Sequence, residues 1–322
     1  MIKQLLSRHK KLKMSVLPTP IYRLDKISEL CKTEIYCKRD DLTGFAFGGN
    51  KTRKLDYLIP EALEQKADCI ISVGANQSNF CRMATAAAVT NGMEAFLVLA
   101  GLKPELITGN LLVDHMYGAH IRHIDTEENE VMAQEAAKLE KELVAQGRKV
   151  YNVPIGGSTL TGLLGYVDAF QEILDFSEKT GIHFDTVILA SGSGGTQAGL
   201  VLGKDLSNSS HKIIGMSVGR SKEELSQVVY DLAADAVKEV SGNVKKDSVI
   251  VDESYFGEKY GVRTNEGKEA IDMFAKKEGI MLDFVYTGKA AAGMIDYARK
   301  GLFNGGEKVL FIHTGGNIEL FE

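Results

Sequence analysis

The chemistry in this chain begins at Lys51, which follows two glycines in Phe47-Gly48-Gly49-Asn50-Lys51-Thr52-Arg53-Lys54. Two glycines let the backbone approach a flat ligand closely. A lysine in such a bend can be desolvated and lose its proton more readily, which makes it a candidate Schiff-base former; the alternative is a surface lysine beside a turn. The segment resembles a nucleotide P-loop, but the spacing fails. Gly44 and Gly49 are five apart, and Lys51-Thr52 comes one residue too late for G-x-x-x-x-G-K-[ST].

Three further segments could hold a ligand. Gly74-Ala75-Asn76-Gln77-Ser78-Asn79 falls between an expected strand and helix, where backbone N–H groups favour an anion such as a carboxylate. The Ser78 hydroxyl could bind there or simply cap the helix. Ser191-Gly192-Ser193-Gly194-Gly195-Thr196 is a run of small residues suited to cup one phosphate. It is not a dinucleotide fingerprint, because Gln197 stands where the last glycine of G-x-G-x-x-G would be. Near the C-terminus, Tyr260 and Tyr286 supply phenols that could move protons, or could be ordinary buried rings. Thr314-Gly315-Gly316 follows another expected strand end.

The elements that must position these residues alternate. Apolar runs predict strands over 68–73, 95–99, 120–124, 186–190, 212–218 and 308–313. Helical spacing predicts helices over 78–90, 109–116, 127–146, 196–206, 222–240, 267–277 and 289–300. Strand–helix alternation is the pattern of parallel sheets with crossover helices. In such sheets ligands bind beyond the carboxyl ends of the strands, where the segments above fall. The fold class expected is therefore α/β. It comprises two three-layer αβα domains with mostly parallel sheets: a smaller domain over 52–165, and a larger one of 1–51 plus 166–322.

The chain has 322 residues, 44% hydrophobic and 25% charged, with 38 basic and 43 acidic residues. That composition is globular and excludes disorder and coiled coil. The net charge of −5 and the lack of a basic stripe argue against a nucleic-acid partner. No apolar run reaches a membrane span of about 18 residues. The four cysteines, Cys31, Cys37, Cys69 and Cys81, form no C-x-x-C pair, so free thiols in the cytoplasm are expected and no metal site is.

A lysine in a glycine bend, a carboxylate cradle and a phosphate cup together fit pyridoxal 5′-phosphate (PLP). The motifs GGNKTRKLDY, QSN, GGS, SGSGGTQAG, YTGKA and HTGG, in that order, resemble the D-cysteine desulfhydrase and 1-aminocyclopropane-1-carboxylate (ACC) deaminase family of fold type II PLP enzymes. The likeness runs from about Pro18 to Phe321. It implies that Lys51 is the Schiff-base lysine and that Asn79 bonds the ring hydroxyl. It also implies that Gly192, Ser193, Gly194, Gly195 and Thr196 hold the phosphate with help from Lys54, with Asn50 and Thr314 completing the cofactor site. Ser78, Asn79, Phe80, Tyr286 and Thr287 would contact the substrate, and Tyr260 and Tyr286 are the active-site tyrosines. A homodimer acting on a small amino acid in catabolism is implied as well.

ACC deaminases carry Glu after the second tyrosine and Leu in the last motif, whereas this chain has Thr287 and Thr314. A carboxylate by the pyridine nitrogen keeps it protonated and makes a strong electron sink; a threonine hydroxyl makes a weaker one. Cysteine, with an α-hydrogen and a good leaving group, needs less of a sink than ACC. The expected reaction is α,β-elimination of D-cysteine to pyruvate, ammonia and hydrogen sulfide, with Lys51 as general base. The alternatives are ACC deamination to 2-oxobutyrate and ammonia, and sulfite elimination from L-cysteate. Phe80, where the family often has His, and Asn76 alter the polar contacts near the substrate. A catalytically silent binding protein on the same fold is opposed by the intact Lys51, Ser78, Asn79, Tyr260 and Tyr286.

Overall fold

The computed structural model describes residues 1–126, 128–240 and 242–321. The chain opens with α1 (Ile2–Leu6), β1 (Ile21–Arg23), α2 (Asp25–Cys31), β2 (Glu34–Lys38) and α3 (Asn50–Glu64). It continues through β3 (Cys69–Ala75), α4 (Asn79–Thr90), β4 (Glu94–Ala100), α5 (Gly109–Met116), β5 (His120–Ile124), α6 (Asn129–Ala145) and β6 (Val150–Val153). The long α7 (Leu160–Thr180) leads to β7 (Thr186–Ser191), α8 (Gly195–Leu206), β8 (Lys212–Ser217), α9 (Lys222–Val237) and β9 (Ile250–Asp252). The chain ends with α10 (Asn265–Glu278), α11 (Thr287–Arg299), β10 (Lys308–Ile312) and a short 3₁₀ turn at Asn317–Phe321.

Among the described residues, ten strands form two sheets. One has the order β5-β4-β3-β6 and is parallel throughout; the other has the order β1-β2-β10-β7-β8-β9 and is parallel except for the antiparallel β1–β2 pair. Strands buried on both faces read as continuous apolar runs. Thr186–Ser191 is buried at every position and Cys69–Ala75 at all but its last. The α/β class with mostly parallel sheets is the one expected from the alternation of elements. All four cysteines are free and buried. No described helix is long and apolar enough to cross a membrane.

Helix ends follow local chemistry. Ser221 caps α9 by accepting from Glu224 N at 3.2 Å, with Glu223 and Glu224 in the first turn. Helix α9 ends at Val237, three residues short of the expected 240, and α10 starts two residues earlier than expected at Asn265. The first residue of the expected helix over 127–146, Glu127, lies outside the described residues; α6 begins at Asn129.

Strands β1, β2, β6 and β9 and four helices have no counterpart among the elements expected from sequence; the helices are the short α1 and α2 and two longer ones, α3, which carries Lys51, and the 21-residue α7. Pro60 lies inside α3, where proline normally breaks the helical pattern, and glycines interrupt the apolar spacing of α7. Both positions expected as domain boundaries, 52 and 165, fall within these two helices. They cross at Gly165, where a Cβ would lie 2.3 Å from the Arg53 carbonyl oxygen.

Candidate active site

A cavity of about 640 Å³ opens beyond the carboxyl ends of β3, β7 and β10. Its wall collects the starts of four helices: Asn50 and Lys51 of α3, Ser78 and Asn79 at α4, Gly192–Gly194 before α8, and Tyr286 before α11. Helix N-termini present unpaired N–H groups and partial positive charge, so the cavity suits a ligand with anionic groups.

Lys51 is not in a free turn but in the first turn of α3. Gly48 and Gly49 precede it with φ of 73° and 127°, a backbone that favours glycine. Gly49 has little room for a side chain, since a Cβ there would sit 2.6 Å from Met83 Cε. Burial pulls the Lys51 ammonium down to about 8 from its usual 10.5. Lys54, one turn on, is fully buried; burial, and then the neighbouring Lys51 charge, hold it well below 10.5. Its Nζ donates to the Gly156 carbonyl at 2.9 Å and to Ser158 Oγ at 3.4 Å. Ser158 Oγ in turn donates to Ser193 Oγ at 2.8 Å, which ties the lysine to the glycine-rich loop.

That loop curves before α8, with Gly194 at φ 83°. A Cβ on Gly195 would meet Ser158 Oγ at 2.7 Å and Lys54 Nζ at 2.8 Å, so only glycine brings the helix start this close to the buried ammonium. Ser191 Oγ, at the end of β7, is buried without a hydrogen-bond partner among the described residues. Asn50 Nδ2 donates to Thr196 Oγ1 at 3.0 Å, and Asn50 N to the Thr314 carbonyl at 2.9 Å. Gln197, which spoils the dinucleotide spacing, donates to the Ile250 carbonyl at 2.8 Å and so links α8 to β9.

On the β3 side, Ser78 Oγ accepts from Cys81 N at 3.1 Å. Ser78 therefore caps α4 and still lines the cavity, so the two readings of this residue coexist. Asn79 donates to Glu319, while its Oδ1 accepts from Arg82 at 3.0 Å and from Asn110 at 3.2 Å. Phe80 lines the cavity. Across it, Tyr260 and Tyr286 share a hydrogen bond between their hydroxyls, with ring centroids 5.9 Å apart. Burial and then the Tyr260 partner raise Tyr286 well above 10.

Four of the residues singled out from sequence for the cofactor or the substrate are not on the wall, among them Asn76, whose Nδ2 donates to the Leu102 carbonyl at 3.0 Å. Lys54 and Gly195 lie just behind the wall. Thr287 is fully buried and directed to Asp283: its Oγ1 accepts from Asp283 N at 2.9 Å and donates to Asp283 Oδ1 at 2.5 Å. Asp283 also accepts from the backbone N–H groups of Val285, Tyr286 and Thr287 at 2.6–2.8 Å, which fixes the start of α11. The expected substrate contact of Thr287 is therefore absent from this arrangement, and its hydroxyl serves the helix start. Sequence reasoning passed over Ser158 (although GGS marked the spot), Arg82 (one helical turn from Asn79) and Glu319, which no local pattern announced. No Asp or Glu is among the described residues lining the cavity.

The fold and this constellation define a fold type II enzyme site. The sequence matches the family described as "Pyridoxal-phosphate dependent enzyme" over residues 12–315. Two curated relatives, from Pyrococcus furiosus and Pyrococcus horikoshii, are each named "Putative 1-aminocyclopropane-1-carboxylate deaminase". They are 43% identical over 98% of this chain and 94% of the relative, and 42% identical over 97% and 93%. A solved structure described as an "ACC deaminase homologue" is 39% identical, with a TM-score of 0.92 over 99% of this chain and 96% of that one. Serine racemase from Dictyostelium discoideum, at 18% identity and a TM-score of 0.68, shares the fold. The chain thus belongs to the PLP-dependent enzymes, in the group that includes these ACC deaminase relatives.

The residues fit the cofactor. A buried ammonium at Lys54 faces no carboxylate within ion-pair distance among the described residues, and it lies behind a glycine loop that any Cβ would crowd. A phosphate there offsets the cost of burying that charge. Lys51, part-neutral near pH 8, lies where an aldehyde can be captured.

Proposed function

We infer that this enzyme is a PLP-dependent lyase that releases ammonia from a small α-amino acid in the cavity described above. The observation that carries this reading is the lysine pair. Lys51 and Lys54 are both depressed by burial. Lys54 bonds the 156–158 turn, and a Cβ on Gly156 would lie 3.7 Å from Lys51 Nζ. One lysine is suited to carry the cofactor and the other to neutralise its phosphate.

When bound, PLP supplies an electron sink for the substrate's α-carbon. The protein supplies the rest. Gly192, Ser193, Gly194, Gly195 and Thr196, with Lys54, hold the phosphate; Asn50 braces the loop, and Asn79 and Thr314 border the ring. The start of α4, with Ser78, Asn79 and Phe80, takes the substrate carboxylate on backbone N–H groups. The Lys51 amine moves the substrate proton. The coupled phenols of Tyr260 and Tyr286 hold or deliver a proton at the departing side.

The names of the relatives support ACC as substrate, giving 2-oxobutyrate and ammonia, better than they support D-cysteine. The elimination reading is kept on one observation: no Asp or Glu lines the cavity among the described residues. A wall without carboxylates gives the pyridine nitrogen no anionic partner, which suits β-elimination from D-cysteine, or from L-cysteate, more than opening a ring. The division at 52 and 165, a homodimer and a cytoplasmic location belong to the same reading. The test is a panel of ACC, D- and L-cysteine, L-cysteate and D-serine, with pyruvate and 2-oxobutyrate measured separately. 2-Oxobutyrate from ACC supports ring opening; pyruvate from D-cysteine or L-cysteate with none from ACC replaces it by elimination. Neither product from any member of the panel defeats the lyase reading.

A further inference from the structure

Behind the α4 start lies a buried polar network centred on Asn79, whose other members, Arg82, Asn110 and Glu319, have no part in the proposed chemistry. Arg82 is 1% exposed and has no carboxylate within ion-pair distance among the described residues. Its Nη1 donates to Asn79 Oδ1 at 3.0 Å and to Asn110 Oδ1, and its Nη2 to the Gly48 carbonyl at 3.3 Å. Asn110 donates to the Gln77 carbonyl at 2.9 Å and to Asn79 Oδ1 at 3.2 Å. On the other side of the same amide, Asn79 Nδ2 donates to Glu319, which is 3% exposed on the C-terminal 3₁₀ turn.

Arginine only donates and a carboxylate only accepts. The Asn79 amide therefore has one permitted orientation, with oxygen toward Arg82 and nitrogen toward Glu319. A primary amide carries two N–H groups. Glu319 takes one, and the other is the donor that Asn79 can offer to the cavity it lines. Arg82 also grips Gly48, at the start of the bend that sets Lys51. One buried guanidinium thus links the amide to the lysine-bearing helix.

We propose that Glu319 and Arg82 are positioning residues that lock the Asn79 amide so that it presents an N–H to the bound cofactor. The idea rests on the PLP reading and deepens it. A bond worth about 1 kcal/mol corresponds to roughly a fivefold change in affinity.

The test compares Glu319→Gln with Glu319→Met in the full chain. The two side chains are similar in size and uncharged, but only Gln keeps an oxygen acceptor for Asn79, the Met thioether being a weak one. Their PLP dissociation constants, visible spectra and thermal midpoints are measured. The expected result is that Met binds PLP about fivefold more weakly than Gln and changes the visible band, while the two midpoints agree. Equal affinities and superimposable spectra overturn the proposal. If Met does not fold, Glu319→Asp, which withdraws the acceptor, replaces it with the same expectation and the same overturning result. A wild-type protein that forms no pyridoxyl-lysine sinks the proposed function instead, so the two failures are distinguishable.

Discussion

The residue that matters most is a lysine whose charge the fold opposes. With its ammonium at about 8, half of Lys51 is neutral near that pH, whereas a free lysine is almost wholly charged. The apoprotein should therefore capture PLP at a rate that rises with pH and levels off above about 8. Stopped-flow absorbance on apoprotein checks this; a rate still climbing steeply above pH 9 contradicts it. The same shift has a stability consequence. The unfolded chain keeps this proton up to the usual lysine value of 10.5 and the folded chain releases it near 8, so the apo fold gains stability as pH rises between those values. A Lys51→Met apoprotein should show a smaller gain over that interval, measured by urea unfolding.

At the scale of elements, the site depends on helices that approach more closely than side chains allow. Gly165 lets α7 ride against the Arg53 backbone. Gly165→Ala forces the crossing apart, which should cost about 1–3 kcal/mol and also weaken PLP binding, because Arg53 and Lys54 share the displaced turn. Unfolding and cofactor titration check this; an unchanged affinity would mean that the α3 start is held from elsewhere. Strands β3, β4, β5, β7, β8 and β10 were readable in the sequence because a buried parallel strand is a continuous apolar run, as at β7; the short β1, β6 and β9, and β2 with its polar ends, were not. The chemical segments were readable because glycines and hydroxyls must flank a phosphate. Helices α3 and α7 were not, since Pro60 and the crossing glycines break the period that marks a helix. Thr287 was misplaced because sequence adjacency to Tyr286 does not reveal which way a hydroxyl turns at a helix start, and Asp283 claims it. The roles of Arg82 and Glu319 depend on contacts between distant segments, the latter about 240 residues from Asn79, and no local pattern encodes them.

At the scale of the molecule, a buried charge network joins β2, α3 and α7. Arg53 pairs with Asp40 at 2.9 Å and Glu172 at 2.8 Å, Lys38 pairs with Glu172 at 2.6 Å, and Tyr166 donates to Asp40 at 2.5 Å. Burial works to raise Asp40, but the Arg53 and Lys38 charges outweigh it and hold the carboxyl below 3.8. A depressed carboxylate contributes stability above its unfolded value and loses it as pH falls through the folded one. Stability should thus decline on acidification below about pH 4. Asp40→Asn, which leaves Arg53 short of a charge, should cost about 3–5 kcal/mol at neutral pH and flatten the acid limb. Urea unfolding from pH 3 to 7 checks both statements, and an acid limb of unchanged slope in the variant would remove Asp40 from the account.

The central claim is tested most directly by reducing the PLP-loaded protein with borohydride, digesting it and locating the pyridoxyl group by mass spectrometry. The account predicts one modified site, Lys51, with Lys54 unmodified. A pyridoxyl group on Lys54 or any other lysine, or none at all after saturation with PLP, would contradict it.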